Sequence, residues 1–277
     1  MLAQWDCLLK NLGEWHGSFS RLSPQGTLLE DTPTIVSFEG LNENQTIRQI
    51  VRHYHPSQNT PVDEKVLEYS SLGRGIMLFE NGGFSQGSIQ LAPYSEFGAE
   101  LGLIEGDRRL RLVQLFNQDH QLNRITLIRE RRSGTTAPER PPLQLEDLLG
   151  EWQGEATTLD TSWQDTSYPT TLKLYREGDR LVQSIAFTSR GQNQTLISSA
   201  QINGSQLWFD QGKVPVQVLL LADGATCTCP LQIQPGQAMF LEMGWLLQPT
   251  LRQRLIRSYN SRGEWVSLTL VTEQKVR

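Results

Sequence analysis

The segment Leu12-Gly13-Glu14-Trp15-His16-Gly17 returns as Leu149-Gly150-Glu151-Trp152-Gln153-Gly154, 137 residues later in a chain of 277. Further matches follow in the same order: Gln49 with Gln183, Phe79-Glu80-Asn81-Gly82 with Phe209-Asp210-Gln211-Gly212, and Glu100-Leu101-Gly102-Leu103 with Glu242-Met243-Gly244-Trp245. From Arg111 to Arg132 the chain aligns without a gap on Arg254 to Lys275, which sets Phe116 over Tyr259, Asn117 over Asn260 and Glu130 over Glu273. A repeat of this length makes each half a folding unit whose elements must correspond. The offset drifts between 130 and 143, as insertions and deletions in surface loops produce.

Each half opens on a helical spacing, Trp5, Leu8, Leu9 and Leu12 in the first and Leu145, Leu148 and Leu149 in the second, and a glycine ends it before the tryptophan. Short alternating segments follow, punctuated by turn signals such as Leu41-Asn42-Glu43-Asn44, Glu177-Gly178-Asp179, Asn203-Gly204 and Ser261-Arg262-Gly263. Regular strands without a long helix predict an antiparallel sandwich or barrel, and the repeat length suits a barrel of eight to ten meandering strands. The expected fold is therefore all-β, two tandem antiparallel β-barrels each preceded by a short helix. The expected boundaries are 1–132 for the first barrel, 133–144 for a proline-rich linker running through Pro138, Pro141 and Pro142, and 145–277 for the second.

A net charge of −5 with scattered Lys and Arg gives no footprint for nucleic acid. No stretch nears the roughly 18 apolar residues of a membrane span, and the N-terminal residues do not form a secretory signal. Three cysteines, with Cys227 and Cys229 two apart on a strand, fit reduced thiols and a cytoplasmic setting. Nucleophilic chemistry has no support in a G-x-S-x-G or a phosphate-binding glycine loop, and no catalytic residue is assigned. His53 and His55 share a strand face but lack a third ligand nearby, so no metal is expected; His16 becomes Gln153 in the second repeat and is not required by the fold.

Gly13-Glu14-Trp15 and Gly150-Glu151-Trp152, each with an arginine near the end of its repeat, Arg111 and Arg254, resemble the signature of the calycin superfamily of lipocalins and fatty-acid-binding proteins. The resemblance implies lipocalin-like barrels in which the arginine packs on the tryptophan and closes one end, a cation–π contact of about 0.5 to 2 kcal/mol. The closing strands, Leu251-Arg252-Gln253-Arg254-Leu255 through Glu273, are also similar to those of the S-type phycobiliprotein lyases. The whole chain, from Trp5 through Asn44-Gln45-Thr46 and both barrels, resembles a two-barrel family of cyanobacteria and plastids that carries only a domain-of-unknown-function label.

Trp15 with Arg111, and Trp152 with Arg254, are accordingly assigned to barrel closure; an arginine facing the cavity instead would anchor a carboxylate or propionate. Glu100 and Glu242 lie in apolar strands, and a carboxylate pointing into a barrel needs a positive partner, which the following arginine strand (Arg109, Arg111; Arg252, Arg254) can supply. Glu100, Arg109, Glu242 and Arg252 are the candidate polar ligands of a cavity. Trp208 and Trp245, from the second half's richer aromatic set, are its candidate walls. The expected function is a non-enzymatic binding protein for a small, mostly apolar ligand. From the resemblance, that ligand would be a pigment such as a bilin, carotenoid or other tetrapyrrole, or a fatty acid. Two alternatives stand beside it, a lyase-like chaperone delivering a bilin to a phycobiliprotein and a scaffold or assembly factor with filled barrels; the expected protein partner is a phycobiliprotein or a photosynthetic assembly partner.

Overall fold

The computed structural model describes residues 2–55, 57, 60–189 and 192–276. The chain is all-β, with two antiparallel structures and few helical residues. Close packing divides it into two compact units. One comprises the chain up to Ile89 with Gly98–Leu115 and Asn123–Glu139; the other comprises Gln90–Phe97, Phe116–Leu122 and the chain from Arg140 onward.

The first repeat contains α1 (Gln4–Leu9), β1 (Gly13–Leu22), β2 (Leu28–Leu41), β3 (Thr46–Tyr54), β4 (Pro61–Tyr69), β5 (Ile76–Leu78), β6 (Phe84–Gly87), β7 (Phe97–Glu105), β8 (Arg108–Phe116) and β9 (Leu122–Arg132). They form a nine-stranded sheet in the order β4-β3-β2-β1-β9-β8-β7-β6-β5. The second repeat contains α2 (Leu145–Leu148), β10 (Gly150–Asp160), β11 (Asp165–Glu177), β12 (Arg180–Ser189), β13 (Gln192–Asn203), β14 (Gln206–Phe209), β15 (Val216–Leu220), β16 (Ala225–Pro230), β17 (Met239–Gln248), β18 (Leu251–Tyr259) and β19 (Trp265–Lys275). These ten strands close into a barrel, each paired with its neighbours in sequence and β19 returning to β10.

The repeat holds at the level of register. Trp15 stands opposite Arg132 and Gly17 opposite Glu130, while Trp152 stands opposite Lys275 and Gly154 opposite Glu273. Each G-x-W-x-G segment has a local physical account. The first glycine, Gly13 or Gly150, turns the chain from helix to strand at φ 116° or 124°, a region that side chains disfavour. The tryptophan is fully buried and its indole N–H donates to the carbonyl where the helix ends, Asn11 at 3.0 Å and Leu148 at 2.8 Å. A Cβ on the last glycine, Gly17 or Gly154, would overlap the backbone of the strand opposite, so the position stays bare beside the buried glutamate.

The short helices bury their apolar face on the concave side of each sheet. Leu8 and Cys7 pack with Ile47 and Leu78, and Leu145 and Leu148 with Trp152, Leu172, Leu174, Leu181 and Leu207. Closure distinguishes the units. In the second, β13 passes to β14 through the two-residue turn Asn203-Gly204-Ser205-Gln206, with Gly204 at φ 60°, and the strands pair at once. In the first, residues 70–75 separate β4 from β5 and no pairing between those strands is formed among the described residues. The β5 edge is covered by a side chain: Gln4 Nε2 donates to the Leu78 carbonyl at 2.9 Å and Gln4 Oε1 accepts from the Leu78 N–H at 2.7 Å.

Two segments of the first repeat belong to the second unit by packing. The Phe97 ring lies 4.9 Å from that of Tyr259, the Leu122 N–H donates to the Leu231 carbonyl at 2.8 Å, and the Ile233 N–H to the His120 carbonyl at 2.9 Å. The chain just after residue 139 is likewise held. The Arg140 N–H donates to Asp223 Oδ1 at 2.7 Å, and its guanidinium lies 4.3 Å over the Trp245 ring.

Candidate ligand cavity and its buried ion-pair cluster

Strand alternation sends Arg109 and Arg111 to the same face, and Arg252 and Arg254 likewise, each pair converging on one glutamate of the last strand. In the first unit Glu130, with no exposed surface, accepts four hydrogen bonds, from Arg109 Nε (2.7 Å) and Nη2 (3.0 Å) and from Arg111 Nε (3.0 Å) and Nη2 (2.8 Å). Arg111 Nη1 continues to Glu100 at 2.7 Å, and Gln86 Nε2 donates to the other oxygen of Glu100 at 2.7 Å. The second unit repeats the arrangement more loosely. Glu273 lies 2.7 Å from Arg252 Nε and accepts from Arg254 Nε at 3.2 Å and Nη2 at 3.4 Å, while Arg254 Nη1 reaches Glu242 at 3.5 Å.

Two guanidiniums and two carboxylates leave each cluster with no net charge, the condition under which buried ions are tolerated. Burial alone would raise the Glu130 carboxyl, but Arg109 and Arg111 outweigh it and hold the group down to about 2. Glu273 is lowered in the same way by Arg252 and Arg254 against the opposing effect of burial.

The clusters form one side of concave cavities. In the second barrel a cavity of about 480 Å3 is walled mainly by Leu172, Leu174, Leu181, Ile185, Leu207 and Phe209. Its polar lining includes Gln183, Thr226, Thr228, Glu242, Arg252 and Arg254. The first unit has a counterpart of about 350 Å3 with Gln49, Tyr69, Glu100 and Arg111 among its lining. Gln49 and Gln183, matched in the repeat, therefore occupy equivalent cavity positions. An apolar chamber of this size with a few convergent polar groups is suited to an amphiphilic organic ligand.

The structure brings Glu100 to Arg111 and Glu242 to Arg254, as the sequence pattern suggested, and sets Arg252 in the cavity lining. The arginine over the tryptophan differs from the expectation. Arg109 and Arg132 both stand 4.5 Å from the Trp15 ring centre, and Arg252 (5.5 Å) and Lys275 Nζ (5.0 Å) from that of Trp152, whereas Arg111 lies 5.3 Å over Phe19. Register gives the reason: Trp152 pairs with Lys275, Arg252 is level with Glu273 two residues along, and Arg254 is level with Val271 four residues along. Arg132 also donates to the Leu12 carbonyl just before β1 at 2.8 Å, and Lys275 to the Asp147 carbonyl of α2 at 2.7 Å.

Trp208 and Trp245 require correction as cavity walls. Leu207 and Phe209 line the cavity, so Trp208 between them faces out, opposite Gln201 and Gln217. Trp245 alternates with Gly244 and stands opposite Ala225 on the outer face. It is buried there beneath Arg140, and its N–H donates to the Asp223 carbonyl at 2.8 Å. Strand face, which is set by register, decided both positions. The residues that sequence reasoning did not single out as a site are Glu130 and Glu273; their correspondence in the gapless stretch was the available signal. His53 contacts the Phe19 ring at 5.3 Å and Asp63 at 3.4 Å, and among the described residues no group of three His, Cys, Asp or Glu could hold a metal ion. No described helix is long and apolar enough to cross a membrane.

Residues 1–135 match the family model for the N-terminal domain of unknown function DUF3598, and residues 139–276 that for the C-terminal domain of biogenesis factor required for ATP synthase 1. The crystal structure of a DUF3598-family protein of unknown function from Nostoc punctiforme is 52% identical, covers 100% of both chains and superposes with a TM-score of 0.93. The chain belongs to the DUF3598 family. Outside that likeness, an S-type phycobiliprotein lyase from Guillardia theta is 12% identical, with 48% of this chain and 90% of the lyase covered at a TM-score of 0.40. Kievitone hydratase from Nectria haematococca is 9% identical, with 100% and 93% covered at 0.23. Both similarities are too low to carry a functional argument for this DUF3598 member. No functionally curated protein matches the sequence.

Proposed function

We propose that this DUF3598-family protein is a binding protein whose second barrel holds a small, mostly apolar molecule with one polar end. The observation that supports this reading is the cavity of about 480 Å3 in the closed barrel, apolar on most sides and polar at Glu242, Arg254 and Gln183. Its volume falls within the roughly 300 to 1,000 Å3 of small-molecule sites. Glu242 and Arg254, at 3.5 Å, are held less tightly than Glu100 and Arg111 at 2.7 Å, so exchanging their mutual contact for a ligand's carboxylate or hydroxyl costs less in the second barrel. Tetrapyrroles, carotenoids and fatty acids are the ligand classes to test.

The test is native mass spectrometry with an absorption spectrum on protein purified gently from a photosynthetic host. A stoichiometric bound mass that Glu242→Gln weakens supports the reading, and visible absorbance would name a pigment. A ligand-free mass, together with failure of the purified protein to take up bilin or fatty acid at micromolar concentration, would overturn it. Bound bilin that passes to an apo-phycobiliprotein would add the transfer role.

The match of the second half to a domain named for a biogenesis factor required for ATP synthase favours a second reading, an assembly factor. Loss of assembled ATP synthase in a strain lacking the protein, restored by Glu242→Gln, would support assembly without a ligand.

A further inference from the structure

The two repeats serve as controls for each other: residues shared by both are explained by the fold, and charges present in one alone call for another account. On the outer face of the first sheet, β1, β2, β8 and β9 border a groove of about 590 Å3 into which Arg108, Arg129 and Arg131 project. At the corresponding positions the second barrel has Leu251, Thr272 and Gln274, yet β10 pairs with β11 and β19 in the same register as β1 with β2 and β9. The sheet therefore does not need the three positive charges, whose mutual repulsion is a cost.

The groove already holds a carboxylate. Glu139 accepts from Arg129 Nη1 at 2.7 Å and lies 3.8 Å from Arg108 Nη2. Arg129 is fixed in this aim because its Nη2 donates to Ser18 (3.1 Å) and Ser20 (3.0 Å) and contacts Asp31 at 3.3 Å. Glu139 thus sits between Arg129 and Arg108, while Asp31 meets Arg129 from the other side. Ile35 and the rings of Tyr54 and His55 line the groove beside the arginines.

We infer that this groove is a binding site for an organic oxyanion, a phosphate or carboxylate group on a small organic body, separate from the barrel cavity, and that Glu139 is the internal occupant it displaces. The planar fork of arginine recognises both kinds of oxyanion. The volume exceeds what one anionic group fills, and the Tyr54 side takes the remainder.

Titration calorimetry on the full chain at fixed ionic strength, with inorganic pyrophosphate and citrate as separate probes, tests the inference. The variants are Glu139→Gln, which removes the internal competitor, and Arg131→Gln, an exposed position whose loss leaves folding intact, as thermal melting verifies. Saturable binding is expected, about tenfold tighter in Glu139→Gln and several-fold weaker in Arg131→Gln, the scale of one charge-assisted hydrogen bond. Tighter pyrophosphate than citrate identifies a phosphate ligand, and the reverse a carboxylate. No saturable binding in Glu139→Gln, or affinity unchanged by Arg131→Gln, would overturn the site. Glu242→Gln lies in the other cavity and leaves the affinities as they are, which separates this result from the barrel's.

Discussion

Among single residues, the central glutamates carry the largest electrostatic burden. Glu130 and Glu273 are each the shared partner of two buried arginines, so replacing either by Gln strands positive charge away from water. The expected loss is about 3 to 5 kcal/mol in urea unfolding. Glu242→Gln leaves Arg254 its contact with Glu273 and removes a longer contact of 3.5 Å, and is expected to cost less, about 1.5 to 3 kcal/mol, the range of one hydrogen bond to a charged group. Equal losses for Glu242→Gln and Glu273→Gln would count against placing Glu242 at a ligand. The same geometry sets a pH response. Glu130 falls from 4.5 to about 2 on folding, so the unfolded chain binds the extra proton as the medium acidifies. The stability it contributes is complete above about pH 4.5 and drains away as the pH drops toward 2. Melting curves between pH 5 and 2 should show a slope that Glu130→Gln flattens. Trp15→Ala and Trp152→Ala should each cost about 3 to 5 kcal/mol, as large core truncations do.

At the scale of elements, the two sheets differ where their connections differ. A tight Asn-Gly turn docks β14 on β13, whereas residues 70–75 let β5 stand apart from β4. The strand β4 is left as an edge, exposed along almost its whole length, with Pro61 and Lys65 as the kind of residues that guard edges. Its outward amides should therefore exchange with solvent far faster than those of β1 and β10, which are paired on both sides; equal protection would show that a further strand covers β4. The repeat made the correspondence of these strands legible, and the alternation within them predicted inward glutamate and arginine. Rung-by-rung register was not legible, because it depends on how far each strand slides along its neighbour. That offset placed Arg109 and Arg132, rather than Arg111, on Trp15, and turned Trp208 and Trp245 outward.

At the scale of the molecule, the packing units do not follow the repeat. Gln90–Phe97 and Phe116–Leu122 are written in the first repeat and packed with the second unit, where Phe97 meets Tyr259 and Leu122 bonds to Leu231. A fragment consisting of residues 133–277 lacks these segments and exposes the aromatic and backbone groups they cover. It is expected to melt a few degrees below the same unit in the full chain, a shift of about 2 to 4 °C for each 1 kcal/mol lost in a domain near 150 residues. A fragment melting at the full-chain temperature would show that the segments add nothing.

The duplication, the all-β character, the helix before each first strand and the pairing of an inward glutamate with an inward arginine are all legible in the amino-acid order. These follow from local periodicity and from the correspondence of the two halves, which any single chain displays. Which sheet closes, which chamber is the larger, which arginine lies on which tryptophan, and the sharing of one groove by Glu139 and three arginines of a single repeat arise only in the folded chain. Those features depend on connection length, strand register and the folding back of distant segments, and no window of neighbouring residues encodes them.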